Sequence, residues 1–305
     1  LSASVDDFTP TILLVDKMFL EIGLELQANC SSVQHVILVE EQDNVPLGVL
    51  SYTELLADAT PIDDQSVDDH EMAFLNYTGG TTGKGKGVIH SHASHTATIS
   101  MCVAENLFAR GRTLMTMPLF HISGIGISNA GLMLGSPLYI LPAYDPIKVL
   151  ETIQEQKIEQ ALMVPTMWQM LLHHPDFSEY DLSSLRYLRY GGSPIDESLL
   201  MELKSALPRV DFMQVYGQTE GLPISLLHDC DHTAQGVASG RTRSAGTPCY
   251  GMEIEIRDPD GNALPFDEVG EIALSGPPLM LGYLNMPEKT AEELRQLSEG
   301  SSWAK

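Results

Sequence analysis

Short apolar runs alternate with stretches of helical spacing through most of this chain, and that alternation narrows the fold more than any other feature of it. Thr11–Asp16 (TILLVD) reads as a buried strand, and Lys17–Ala28 as the helix that follows. His35–Glu40 (HVILVE), Glu71–Thr78 (EMAFLNYT), Arg112–Met117 and Pro137–Tyr144 (PLYILPAY) read as further strands. Asp145-Pro146 then places a capping residue and a first-turn proline at a helix start, with Ile147, Leu150 and Ile153 following at helical spacing. Gln160–Val164 and Leu185–Tyr190 continue the series as strands with helices between. Strand and helix repeated in this way predict an α/β fold, with layered, largely parallel sheets sandwiched by helices. Near Gly236 the pattern changes. Met252–Arg257, a turn at Asp258-Pro259-Asp260-Gly261 and Gly270–Ser275 predict a small β-rich, barrel-like subdomain. The expected division is 1–110 as a partial α/β subdomain, 111–235 as a second, and 236–305 as the truncated β-rich part.

Composition excludes several classes. Seventeen Lys and Arg against 41 Asp and Glu leave a formal charge of −24, which repels a phosphate backbone and argues against nucleic-acid binding. Cys30, Cys102, Cys230 and Cys249 form neither a metal-type pair nor a disulfide framework, so a reducing, cytoplasmic setting is expected. No apolar run reaches the ~18 residues of a membrane span. The chain starts at Leu1 and stops at Lys305 within a structured pattern, so a fragment is expected.

The strongest local signal is the loop after Glu71–Thr78, which runs Thr78-Gly79-Gly80-Thr81-Thr82-Gly83-Lys84-Gly85-Lys86-Gly87. Glycines let the backbone approach an anion closely, and successive N–H groups form an anion nest. Threonine hydroxyls and two lysines add donors and positive charge, which suits a polyphosphate. Gly80, Gly85 and Lys86 meet part of a Walker A pattern, but Gly87 stands where Ser or Thr should hold magnesium. Val88-Ile89 then reads as a strand rather than a helix, against a P-loop NTPase.

This run resembles the phosphate loop of the adenylate-forming superfamily, which includes acyl-CoA synthetases, luciferases and peptide-synthetase adenylation domains. It departs from the usual form at Gly79, for Ser, and Gly85, for Pro. Other segments resemble the family's motifs in the family's order. Pro118-Leu119-Phe120-His121 resembles its Pro-x-Phe-His segment, which implies that His121 lines the acyl pocket. Gly191-Gly192-Ser193-Pro194 resembles the segment that passes against adenine. Tyr216-Gly217-Gln218-Thr219-Glu220 resembles Tyr-Gly-x-Thr-Glu. There the resemblance implies that Tyr216 stacks on adenine, Thr219 bonds the α-phosphate and Glu220 binds Mg²⁺. Ser244–Pro248, Gly251–Glu253, Gly270–Ile272, Gly282-Tyr283 and Pro287–Thr290 resemble structural elements of the β-rich part. The family's Thr-Gly-Asp motif and mobile C-terminal domain do not appear before Lys305. The isolated chain is therefore expected to bind nucleotide weakly and turn over little.

Two histidine-rich stretches invite a metal reading: His90-Ser91-His92-Ala93-Ser94-His95 and His228-Asp229-Cys230-Asp231-His232. The first has no acidic or thiol partner nearby in sequence, and the second falls in an expected loop. The resemblance implies an AMP-forming acyl-CoA ligase using ATP, Mg²⁺ and coenzyme A. The apolar, Gly- and Ile-rich segment His121–Leu134 favours a medium- or long-chain fatty acid as the small-molecule partner. Aryl acids and homodimerisation stay open. The alternative from another class is a non-catalytic nucleotide-binding scaffold on the same fold. The function is expected to depend on Thr78–Lys86 and Tyr216–Glu220 gripping one ATP.

Overall fold

The computed structural model describes residues 2–40, 45–63, 65–79, 85–296 and 302–304. The chain divides into two compact units. One comprises Leu1–Asp68, Tyr77–Gly87 and Tyr283–Pro287; the other comprises Asp69–Asn76, Val88–Gly282 and Glu288–Lys305.

The first unit opens with α1 (Ser2–Phe8), β1 (Ile12–Val15), α2 (Leu20–Asn29), β2 (His35–Leu38), β3 (Val49–Ser51) and α3 (Tyr52–Asp58). β1, β2 and β3 pair in parallel in that order. Leu26 of α2 packs with Val36, Leu38 and Val49 as the unit's core. The helix expected from Lys17 begins as a 3₁₀ turn, Lys17–Phe19, because the Asp16 carboxylate accepts the Phe19 N–H at 3.2 Å and starts a tight turn there.

β4 (Met72–Thr78) and β5 (Lys86–Ser91) flank the glycine-rich loop, and α4 (His92–Ala104) follows. A strand after Lys86, not a helix, removes the P-loop reading. Then come β6 (Thr113–Met115), α5 (Ile122–Leu134), β7 (Leu138–Ile140), α6 (Pro146–Gln156), β8 (Gln160–Met163), α7 (Pro165–Leu172), β9 (Tyr187–Gly191) and α8 (Glu197–Ala206). β10 (Asp211–Gln218), β11 (Gly221–Leu227), α9 (Ala234–Ala238) and β12 (Thr247–Pro248) follow. Seven of these strands form the main sheet of the second unit, in the order β12–β11–β10–β9–β8–β6–β7. The pairings from β10 through β7 are parallel, and only β11 runs against its neighbours.

Alternating side chains send this sheet's residues into two cores, one on each face. Ala161, Met163, Leu188 and Phe212 pack with Val149, Leu150 and Ile153 of α6, Trp168 of α7 and Leu200 and Leu203 of α8. Leu162, Met213 and Val215 pack with Met101 and Cys102 of α4 and Ile127 and Ala130 of α5. Each buried Leu or Ile contributes about 1.5–3 kcal/mol relative to exposure. α6 forms as its sequence predicts: Asp145 accepts the Lys148 N–H at 3.0 Å and Pro146 occupies the first turn. Among the described residues Arg189 is a fully buried cation. Its guanidinium donates to the carbonyls of Asn106, Leu107 and Asp211 and to the Asp211 carboxylate at 2.6 Å, so the buried charge is paired and hydrogen-bonded.

Beyond β12 lie β13 (Glu253–Arg257), β14 (Glu271–Ser275), β15 (Gly282–Tyr283), α10 (Pro287–Glu293), β16 (Leu294–Gln296) and β17 (Ser302–Ala304). β13, β14, β17 and β16 pair antiparallel in that order. Among the described residues this part is a short antiparallel sheet with β13 and β16 as its two edges. A further three-stranded sheet has the order β15–β5–β4.

Candidate active site

Three of the sequence motifs fall at the carboxyl ends of strands in the parallel part of the main sheet, where α/β folds place their ligand crevices. β9 ends at Gly191, paired in register with Val215 of β10. Gly191-Gly192-Ser193-Pro194 and Tyr216–Glu220 therefore leave neighbouring strands side by side. Pro118–His121 follows β6, which is separated from β9 only by β8.

Each motif has a local reason for its form. A Cβ on Gly191 would lie 2.4 Å from the Val215 carbonyl oxygen, so a side chain there would push the two strands apart. Gly192 has φ +79°, a left-handed conformation that glycine adopts without strain. Together they turn the chain away from β9 and leave Ser193 and Pro194 exposed. Tyr216-Gly217-Gln218 ends β10 beside an irregular start of β11, where the pairing shifts between Gln218↔Gly221 and Tyr216↔Ser225, and Thr219-Glu220 is the two-residue turn between the strands. Tyr216 is half-buried and packs beside the second core, while Thr219 and Glu220 are half-buried. Glu220 accepts the Met280 N–H through its main-chain carbonyl at 2.9 Å.

His121 is the N-cap of α5. Its Nδ1 accepts the Ser123 N–H at 3.2 Å and lies 2.8 Å from the Ser123 hydroxyl. With Nδ1 as acceptor, the neutral ring carries its proton on Nε2. Although the side chain reaches the surface, partial burial among its neighbours lowers its pKa from the usual value. The preceding Phe120 is exposed, and its carbonyl accepts from Asn76 Nδ2 at 2.8 Å. α5 itself buries Ile122, Gly124, Gly126, Ile127, Ala130 and Gly131. Much of the apolar surface expected to line an alkyl tunnel is therefore spent on packing.

In the first unit, Thr78 and Lys86 bracket the glycine loop. The Thr78 hydroxyl donates to the Lys86 carbonyl at 3.4 Å. A Cβ on Gly85 would approach the Thr78 carbonyl to 2.8 Å, which explains glycine at that position. Thr78 is half-buried and Gly79 exposed; Gly80, Thr81, Thr82 and Gly83, expected to cradle phosphate, lie outside the described residues. The Lys86 ammonium donates to the Tyr283 hydroxyl at 3.0 Å and lies 4.4 Å from the centre of its ring. Tyr77 donates to the Asp7 carboxylate at 2.6 Å, and Asn285 Nδ2 bonds the same Asp7. Burial and this carboxylate raise the Tyr77 pKa well above that of an ordinary phenol. Tyr283 was read from the sequence only as a structural element and Asp7 was not singled out, because their partners lie 197 and 70 residues away.

The histidine-rich stretches have other employment. His90 is buried, stacks on Phe74 at 4.9 Å and meets the Thr219 carbonyl through Nε2 at 2.7 Å. His92 is the first residue of α4, and Asn129 donates to His95 Nε2 at 3.3 Å. His232 accepts the Tyr190 hydroxyl at 2.7 Å and donates through Nδ1 to the His228 carbonyl at 2.8 Å. Asp229 accepts from Lys204 at 2.6 Å and from the Phe212 N–H at 2.8 Å, and Asp231 pairs with Arg241. These bonds brace the ends of β9 and β10. Among the described residues no three His, Cys, Asp or Glu side chains gather as a metal set.

Comparison with known proteins shows the family. A sequence profile of the AMP-binding enzymes matches residues 1–284. A feruloyl-CoA synthase of Amycolatopsis sp is 35% identical over 254 residues, which are 82% of this chain and 49% of that protein. A medium/long-chain-fatty-acid–CoA ligase of Mycobacterium tuberculosis is 34% identical over 292 residues, 93% of this chain and 50% of that one. The chain thus spans about half the length of the curated relatives it matches. The solved structure of the amide bond synthetase McbA from Marinactinospora thermotolerans superposes with a TM-score of 0.83 at 28% identity, covering 100% of this chain and 58% of that one. A matched profile over 284 residues, a mostly parallel sheet carrying three motifs at its strand ends and CoA-ligase relatives at this identity leave one placement: the chain belongs to the AMP-binding enzyme family.

Proposed function

We propose that this chain is the nucleotide-binding part of an AMP-forming acyl-CoA ligase. The observation that carries the reading is the clustering of Gly191–Pro194, Tyr216–Glu220 and Pro118–His121 at the carboxyl ends of three strands of one sheet. In the first half-reaction a carboxylate oxygen of the acid attacks the α-phosphorus of ATP, and pyrophosphate leaves. In the second, the sulfur of coenzyme A attacks the acyl carbon, its proton is lost, and AMP leaves with the bridging oxygen.

Each residue has a role consistent with its chemistry. The loop from Thr78 to Lys86 supplies backbone N–H groups, hydroxyls and an ammonium to the phosphates. The Thr219 hydroxyl donates to the α-phosphate, where charge builds during attack. Tyr216 offers a ring face to adenine, and Gly191–Pro194 lets the purine approach bare backbone. The Nε2–H of neutral His121 is a donor suited to the acid's carboxylate. A hard cation takes oxygen ligands and keeps one or two carboxylates beside phosphate oxygens, and Glu220 in a tight turn next to Thr219 fits that donor set. Bound there, Mg²⁺ would offset charge on the phosphate oxygens.

A fatty acid of medium or long chain is our preferred substrate, supported by the 34% identity over 93% of this chain to a medium/long-chain-fatty-acid–CoA ligase rather than by α5, whose apolar residues pack inward. An aryl acid is the second reading, favoured by the 35% identity to a feruloyl-CoA synthase. Among the described residues no helix is long and apolar enough to cross a membrane, and the four cysteines are free thiols, which suits the reducing cytoplasm we assign.

The test is ATP–pyrophosphate exchange by the protein made from its complete reading frame, screened with fatty, aryl and amino acids. Exchange with a fatty or aryl acid is expected, with AMP rather than ADP as product. Glu220→Gln is expected to lower it by on the order of 100-fold or more. Nucleotide binding with no exchange for any acid would favour the scaffold alternative.

A further inference from the structure

We propose that His90 is a positioning residue for the adenylation site: its Nε2–H holds the Thr219 carbonyl and so fixes the turn that presents Thr219 and Glu220. This inference rests on the adenylate reading above. A carbonyl oxygen only accepts, so at 2.7 Å the proton must sit on His90 Nε2. That choice leaves Nδ1 as the acceptor of a neutral ring, and the Ser94 hydroxyl lies 3.4 Å from it. Ser94 is itself locked, since its hydroxyl accepts the Ser91 N–H at 3.1 Å while Ser91 accepts the Ser94 N–H at 3.1 Å. The ring is 1% exposed and lies nearly parallel to Phe74, at 18°. Both its tautomer and its orientation are therefore fixed by the surrounding protein. Burial lowers the ring's pKa, which the Thr219 bond and the Glu220 charge partly offset.

The consequence lies in what Thr219 and Glu220 would otherwise be. They are the two residues of a hairpin turn, beside a register shift in which Tyr216 pairs with Ser225 and Gln218 with Gly221, so the extra residues lie in β11. Met280 holds it through the Glu220 carbonyl and His90 through the Thr219 carbonyl. β5, the strand that delivers His90, begins at Lys86. Catalysis by a preorganised donor is sensitive to its placement, and a shift of about 1 Å is enough to cost about 100-fold.

The experiment compares His90→Leu with His90→Gln in the protein from its complete reading frame, assayed by ATP–pyrophosphate exchange. Leu fills the space without a donor, whereas the Gln Nε2 reaches where the imidazole Nε2 stood. His90→Leu is expected to lower kcat on the order of 10- to 100-fold, with the KM for the acid changed by less than about threefold. His90→Gln is expected to recover most of the loss. Equal kinetics for parent and His90→Leu would overturn the proposal, as would a loss that His90→Gln does not repair. Should His90→Leu fail to fold, ¹⁵N NMR of the parent decides: the Nε2–H tautomer supports the proposal, and the Nδ1–H tautomer overturns it. A parent that exchanges with no acid overturns the adenylate reading and this inference with it, an outcome distinct from an active parent with an indifferent variant.

Discussion

At Gly191 a single added methyl would meet backbone, not a side chain that can swing away. The nearest atom is the Val215 carbonyl oxygen at 2.4 Å. Gly191→Ala is therefore expected to destabilise the protein by about 1–3 kcal/mol, read as a lower urea midpoint, since β9 and β10 must separate to accept it. An unchanged midpoint would mean the strands yield more easily than their packing implies. Tyr283→Phe tests a gentler contact. It removes the hydroxyl that accepts the Lys86 ammonium and keeps the ring beneath it. The expected loss is about 1 kcal/mol of Lys86 placement, seen as a roughly fivefold higher KM for ATP with little change in melting temperature. In the sequence His90 read as part of a metal-like histidine stretch and Tyr283 as a structural element of the β-rich part, so neither role was legible. Each acts through a partner more than a hundred positions away, and for His90 that partner is a main-chain carbonyl, which leaves no trace in residue type. The glycines of Gly191-Gly192 were legible, because one clash and one left-handed φ each demand the same residue.

Among the elements, α4 shows how local chemistry sets a boundary that bears on the site. Ser91 ends β5 and caps α4, and its reciprocal bonds with Ser94 close a capping box beneath His90. Ser91→Ala is expected to cost about 0.5–2 kcal/mol, measured as a lower melting temperature. The same box explains why the histidine-rich stretch misled. In sequence, His90, His92 and His95 crowd together. In the fold, a strand becomes a helix between them, so His90 bonds the Thr219 carbonyl, His92 opens a helix and His95 meets Asn129. Strand positions were legible from apolar runs, and β1, β2, β4, β8 and β9 fall within two residues of where periodicity predicts them. The expected strand Pro137–Tyr144 shortens to Leu138–Ile140, since Pro142 has no N–H to give a ladder. The Thr219-Glu220 hairpin was not read as one, because it lacks the Asn-Gly or Asp-Gly pair that marks such turns.

For the molecule as a whole, buried histidines make stability depend on pH. His232 is buried, and its pKa is lowered chiefly by that burial. Below the unfolded value of about 6.5 the unfolded chain takes up a proton that the folded chain refuses. Stability therefore falls as pH drops through that range, by up to about 1.4 kcal/mol per pH unit for this one group. Urea unfolding at pH 7 and 5.5 should show a smaller loss for His232→Gln than for the parent; equal losses would contradict the assignment. The most direct test of the chemistry follows one oxygen. In the full-reading-frame protein, an acid labelled with ¹⁸O in its carboxylate, supplied with ATP and coenzyme A, is predicted to yield AMP carrying one ¹⁸O. Unlabelled AMP, or ADP with the label in inorganic phosphate, would contradict attack on the α-phosphorus and the roles given to Lys86, Thr219 and Glu220.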